Sequence, residues 1–211
     1  LSIGWCNDWI DAARDRVSRR ADKPVANDQL SSGAARTAAF VGVAACVPLS
    51  LWVGPEGWLH LAAVAGAWAY NYPLKNTPFS LVPFAVSFGL LVAYVVPDPA
   101  PALIAVGALL GAAAHFANVL PDLEDDAATG VRGLPHRLGP RNSRLAASAL
   151  MAGATLTLAY TVDVPYVLLA GALTALFVLA AGVAAPPRWT FRLVEAVALL
   201  NVAALLVATA I

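Results

Sequence analysis

Asn7, Asp11 and Asp15 follow one another in steps of four in the run NDWIDAARD. Asn118, Asp122 and Asp126 repeat the pattern 111 residues later, in NVLPDLEDD. On a helix, steps of four keep side chains on one face. Each copy is therefore expected to aim an amide and two carboxylates in one direction. Asp8 joins the first set, because positions 8, 11 and 15 also share a face. Like charges at this spacing repel by a few tenths of a kcal/mol in water, and a bound cation removes that cost. Oxygen-rich carboxylate clusters suit Mg²⁺, particularly when it also binds substrate phosphates. A proline stands nine residues after each copy, Pro24 and Pro135, with arginines between.

The elements that must position these groups are apolar. Hydrophobic residues make up 60% of the chain and charged residues 12%, against about 25% charged in ordinary soluble domains. Seven apolar stretches have roughly the length of a membrane span: 33–53, 57–72, 79–96, 101–120, 143–162, 164–184 and 190–211. Pro48 and Pro83 fall inside spans, which neighbouring helices tolerate in a membrane. A soluble all-helical protein would need polar helix faces, and these stretches have almost none. The expected fold is all-α, a polytopic transmembrane bundle forming a single membrane-embedded domain over 1–211.

Charge placement gives the expected orientation. All 13 basic residues fall at the start of the chain or in alternate loops. Arg14, Arg16, Arg19, Arg20, Lys23 and Arg36 precede or open the first full span, and Lys75 lies between the second and third. Arg132, Arg137, Arg141 and Arg144 lie between the fourth and fifth, and Arg188 and Arg192 between the sixth and seventh. The other loops hold only Glu56, Asp98 and Asp163. Basic loops face the cytoplasm, so both acidic motifs are expected at the cytoplasmic side of an inner or plasma membrane. The net formal charge of zero hides this split. The chain opens at Leu1, and the six residues LSIGWC before Asn7 read as the last turns of a further span. The expected account is a sequence lacking about one and a half N-terminal helices.

Cys6 and Cys46 form neither a disulfide framework nor a zinc pattern. His60, His115 and His136 are scattered. His115 lies one turn before Asn118 and is a candidate for the same cavity, although a hydrogen-bonded packing role is the simpler reading. Pro121 biases Leu120 away from helix, so the second motif is expected to begin at a break or kink. Glu124 and Asp125 then read as solvated loop residues.

These residues resemble the UbiA superfamily of intramembrane prenyltransferases. The resemblance rests on N-D-x-x-D-x-x-x-D at Asn7, Asp8, Asp11 and Asp15 and on D-x-x-x-D at Asp122 and Asp126. RRADKP (19–24), YNYPLKNT (70–77) and GVRGLP (130–135) resemble the elements that accompany those motifs. The family fold has nine transmembrane helices. This chain resembles it from the end of the second onward, as seven full spans and the end of one more.

The resemblance implies Mg²⁺-dependent transfer of a prenyl group from an allylic prenyl diphosphate to an aromatic or lipid acceptor, with release of diphosphate. Asp8, Asp11, Asp15, Asp122 and Asp126 are the implied metal ligands. Asn7 and Asn118 would coordinate or orient a carboxylate. Arg20, Lys23, Lys75 and Arg132 are the candidates for stabilising charge on the leaving group, ahead of Arg19 and Arg137, whose charges already serve topology. Tyr70 is the candidate aromatic wall for the carbocation. Expected partners are the prenyl diphosphate, a hydrophobic or aromatic acceptor and membrane lipid, not nucleic acid. Asp11 and Asp122 are expected to face one polar cavity. The competing reading is a cation transporter using the paired Asp clusters as ion ligands. Transporters place ionisable groups near the bilayer midplane, whereas nearly all acids here sit at span ends. Glu195, about one turn into the last span, is the exception.

Overall fold

The structure, a computed structural model, describes residues 1–18, 20, 23–162, 174, 189, 192, 195–201 and 203. The expected spans 164–184 and 190–211 lie largely outside the described residues, as does Arg19. All regular structure among the described residues is helical. The helices are α1 (Ser2–Val17), α2 (Ser32–Val53), α3 (Gly57–Asn71), α4 (Leu81–Val95), α5 (Pro101–Val119), α6 (Leu123–Ala128) and α7 (Leu134–Val162). Short 3-10 turns occupy Leu74–Asn76 and Leu120–Asp122.

Local chemistry accounts for the helix ends. Ser31 caps α2 by accepting the Ala34 N–H at 3.1 Å, supplying one of the acceptors that a first helical turn lacks. Pro101 opens α5, where a missing N–H costs nothing. Within α7, Gly139 at φ 75° and Pro140 interrupt the helix, so the expected span 143–162 is its second arm.

Packing runs α2 on α1, α1 and α2 on α3, α3 on α4, α4 on α5 and α5 on α7. The α4–α5 approach is close because Gly107 and Gly111 lie one turn apart on α5. A Cβ on Gly107 would stand 2.8 Å from the Phe88 carbonyl oxygen, and one on Gly111 2.5 Å from that of Phe84. Small residues spaced by four allow helix backbones to meet where no hydrophobic force drives them together. The core at α5 and α7 is likewise built on small side chains, with Ala113, Ala117 and Ala147 around Phe116 and Met151.

The outer surface is apolar. In α2 only Ala35, Ala39 and Ser50 are buried, while Phe40, Val41, Val47, Leu49, Leu51, Trp52 and Val53 are exposed. Such a face is matched by lipid, not water. The described helices follow the expected spans closely in position but differ in length. Of the described helices, α2 and the run Pro101–Ala128 are long and apolar enough to cross a bilayer. α3 and α4 have 15 residues each, about 22 Å at 1.5 Å per residue, short of a hydrocarbon core of about 30 Å. Tyr72–Pro73 closes α3, and the 3-10 turn at Leu74–Asn76 follows it.

Candidate active site

The first motif lies on one unbroken helix, so its spacing becomes geometry directly. Along α1, Asn7 Nδ2 donates to Asp11 Oδ2 at 2.8 Å. Arg14 Nη2 donates to the same oxygen at 2.7 Å and stands 3.6 Å from Asp15. Asp11 and Asp15 are both buried. The connection to α2 folds back over this face. Val25 anchors it by packing against Ala12 and Ala35. Lys23 then reaches Asp8 at 2.7 Å and the Asn7 side-chain oxygen at 3.2 Å. From the α3–α4 turn, the buried Lys75 donates to Asp11 Oδ1. Asn71, at the end of α3, accepts weakly from Asn7 at 3.4 Å and donates to the Ile3 carbonyl at 3.1 Å.

The second motif does not form one continuous face. α5 ends at Val119, the chain passes through the 3-10 turn at Pro121, and α6 starts afresh after Asp122. The break separates the three residues expected to align. Asp126 turns inward toward His136, at 3.6 Å. Asp122 instead meets Arg20 Nη1 at 2.7 Å, tying the second motif to the connection after the first. Asn118 departs altogether, because it lies on α5 before the break. It lines an apolar groove with Phe88, Leu91, Leu110 and Glu195. Glu124 and Asp125 are exposed.

Asn7, Asp11, Arg14, Tyr70, Lys75, His115, Asp126 and His136 surround one small polar cavity of about 60 Å³. Asp11 and Asp126 line this cavity, and Asp122, expected opposite Asp11, is not among its lining residues. Arg132 is also displaced. It is exposed, and its carbonyl accepts from Arg137, while its neighbours Val131 and Gly133 line the cavity. Gly133 is needed there because a Cβ would stand 2.5 Å from the Lys75 carbonyl oxygen. Tyr70 belongs to two cavities. Its other side faces an apolar space of about 200 Å³ lined by Ile3, Ala67, Pro83, Phe84 and Phe88. Its ring meets Phe84 edge-on, with centroids 4.8 Å apart.

Two cavity residues carried no candidate role in the sequence. Arg14 was visible only as a basic residue, although its position three after Asp11 was a usable helix signal. His136 had no local signal, since the loop after α6 brings it to Asp126. The electrostatics follow from burial. Burial lowers the Lys75 pKa, against the pull of Asp11, and raises that of Asp15, against Arg14. The His136 contact at 3.6 Å is too long for a hydrogen bond.

Among the described residues, no three of His, Cys, Asp and Glu converge on one point. That donor set still fits Mg²⁺. This ion is held by one or two carboxylates together with waters and substrate phosphates, not by an all-protein cage. Asp11 and Asp126 bring two carboxylates to a polar space with room for roughly four waters, and Asn7 lines it beside them. Comparison with known proteins gives a match to the family model described as UbiA prenyltransferase family over residues 1–209. No curated protein and no solved structure matches.

Proposed function

This chain belongs to the UbiA prenyltransferase family, and on that premise we propose that it moves a prenyl group from an allylic prenyl diphosphate to a hydrophobic or aromatic acceptor. The reaction would take place at the cytoplasmic face of a multi-pass bundle. The observation that carries this reading is the meeting of the two motifs at a polar cavity that shares Tyr70 with an apolar one. A prenyl diphosphate has that same division, a charged head joined to a hydrocarbon tail.

The roles follow from charge and contact. Asp11 and Asp126, with Asn7, would hold Mg²⁺ at the polar cavity, and Asp8, Asp15 and Asp122 would add negative charge from outside its lining. Bound there, the ion supplies Lewis-acid neutralisation of the diphosphate. Lys75 and Arg14 already reach into the cavity. Arg20 and Lys23 lie outside its lining, each held by a motif carboxylate. All four are positioned to turn toward an arriving diphosphate and stabilise charge on the departing oxygen. Tyr70 presents an aromatic ring between head and tail, where positive charge develops on the allylic carbon, and a ring face stabilises such charge. Ile3, Ala67, Phe84 and Phe88 would hold the first part of the tail and exclude water from the cation.

The test uses the full-length protein in detergent. A prenyl diphosphate is expected to raise the melting temperature only when Mg²⁺ is present. Ligand at 100 times its dissociation constant adds about 2.7 kcal/mol to the folded state. Inorganic diphosphate with Mg²⁺ should give a smaller shift, since it leaves the apolar cavity unfilled. A cation transporter would respond to Mg²⁺ alone. If the prenyl chain adds nothing to the shift, the prenyltransferase reading fails.

A further inference from the structure

We infer that His115 touches the substrate, donating a hydrogen bond from its Nδ1–H to an oxygen of the diphosphate. The inference rests on the prenyltransferase reading and names a contact to the leaving group in that same site.

His115 is 1% exposed and lines the polar cavity from α5. Its ring is wedged among Tyr70, Phe84 and Phe116, with centroids 5.0 to 5.8 Å away. Its Nε2 lies 3.0 Å from the Ser80 hydroxyl. Its Nδ1 is buried and has no hydrogen-bond partner among the described residues.

The tautomer follows from counting protons. Ser80 is fully buried, and its oxygen already accepts the Leu134 N–H at 2.9 Å. A hydroxyl has one proton to give and two lone pairs. If Ser80 gives its proton to His115 Nε2, every group in the chain Leu134–Ser80–His115 is satisfied except one, the Nδ1–H. If Nε2 held the proton instead, Ser80 would accept twice. Its own buried proton would then be stranded, and Nδ1 would be a second unpartnered atom. The first arrangement leaves one orphan and the second leaves two, and orphaned buried groups are costly. The neutral ring therefore carries its proton on Nδ1, in a side chain that lines the cavity.

That donor differs from the cations around it. Arg14 and Lys75 are occupied by Asp11. The Nδ1–H has no carboxylate to release before it can bind. The ring is held by three aromatic neighbours and by Ser80, so its orientation is fixed before an anionic oxygen arrives. The acceptor it lacks has the chemistry of a phosphoryl oxygen, and the same cavity is where both acidic motifs meet.

Two substitutions separate this role from packing. In His115→Asn the shorter amide places a donor near the Nδ1 position and gives up Ser80. In His115→Gln the longer amide reaches Ser80 and gives up the Nδ1 donor. The probe is inorganic diphosphate with Mg²⁺, titrated by calorimetry into the full-length protein, beside a melting curve for each variant. His115→Asn should keep diphosphate affinity within a few-fold while melting lower. His115→Gln should melt as the unsubstituted protein does and lose roughly 10- to 100-fold in affinity, the value of one hydrogen bond to a charged group. Nitrogen-15 NMR of labelled histidine should show the Nδ1–H tautomer, with that signal moving when diphosphate is added.

Unchanged affinity in His115→Gln would overturn the inference, and would mean that a resident water or packing alone accounts for Nδ1. An Nε2–H tautomer would overturn it equally. If the protein binds Mg²⁺–diphosphate as described but transfers no prenyl group, the inferred contact stands and the prenyltransferase reading falls.

Discussion

Asp11→Ala removes the carboxylate on which three other side chains converge. Lys75 is the most dependent of them, because both partners in that pair are buried, at 8% and 4% side-chain exposure. Arg14 is 22% exposed and retains Asp15 at 3.6 Å, so it loses less. Removing one partner of a buried ion pair costs about 3–5 kcal/mol, because the other charge is left without compensation. For a chain of this length that corresponds to a melting temperature lower by roughly 10 °C. Asp11→Ala/Lys75→Met removes both buried charges and should recover most of that loss. Activity should not follow stability. Both variants should lose at least about a hundredfold in turnover, a loss typical of removing one electrostatic element of a transition state. The assay is a melting curve in detergent paired with release of diphosphate from a prenyl diphosphate.

The stability deficit of Asp11→Ala should also depend on pH. Burial already lowers the Lys75 pKa in the folded protein, and loss of Asp11 lowers it further. Between that lowered value and the ordinary lysine value, the unfolded chain binds more protons than the folded one. Stability of the variant therefore rises with pH through that window, and the full cost appears below it. A double variant as unstable as Asp11→Ala would refute the orphaned-lysine argument. Undiminished turnover in Asp11→Ala would refute its role in holding the metal.

Three further outcomes are expected. Asp126→Ala should reduce turnover about a hundredfold, whereas Asp125→Ala and Asn118→Ala should change it less than about threefold, since neither side chain faces the polar cavity; equal losses at all three would mean the cavity is misassigned. Gly133→Ala forces a Cβ to 2.5 Å from the Lys75 carbonyl, and overpacking of this kind costs about 1–3 kcal/mol; a melting temperature unchanged from the parent would show that the two loops do not pack as described. A cysteine replacing Arg137 should react with impermeant reagents only from the cytoplasmic side and one replacing Asp98 only from outside, and the reverse pattern would overturn the orientation.

The first motif was legible because nothing intervenes between its residues. From Asn7 to Asp15 the chain is a single helix, so a spacing of four determines which side chains adjoin. The apolar stretches were legible for a related reason. Helix bounds at α2, α3, α4 and α5 lie within about two residues of the apolar runs, since composition and punctuation by Pro and Gly act locally. The second motif was legible as chemistry but not as geometry. Its residues obey the same spacing, yet Pro121 and the 3-10 turn reset the helix between Asn118 and Asp122. A break can be anticipated from proline, but the rotation across it is decided by what the following segment packs against.

By itself, then, the sequence determined the residue types available, the helices that carry them and the family to which the chain belongs. Tertiary structure decided which of those residues meet. Asp126, not Asp122, lines the polar cavity with Asp11. Arg14, His115 and His136 enter that cavity, while Arg132 stays outside and Asn118 faces an apolar groove. The burial that lowers the Lys75 pKa arises only where the α3–α4 turn closes against Gly133. The physical reason is range. Helical periodicity and turn chemistry act over a few residues. Decisive contacts of this site join side chains 64 and 102 positions apart, Lys75 with Asp11 and Arg20 with Asp122, and only tertiary packing sets their distances.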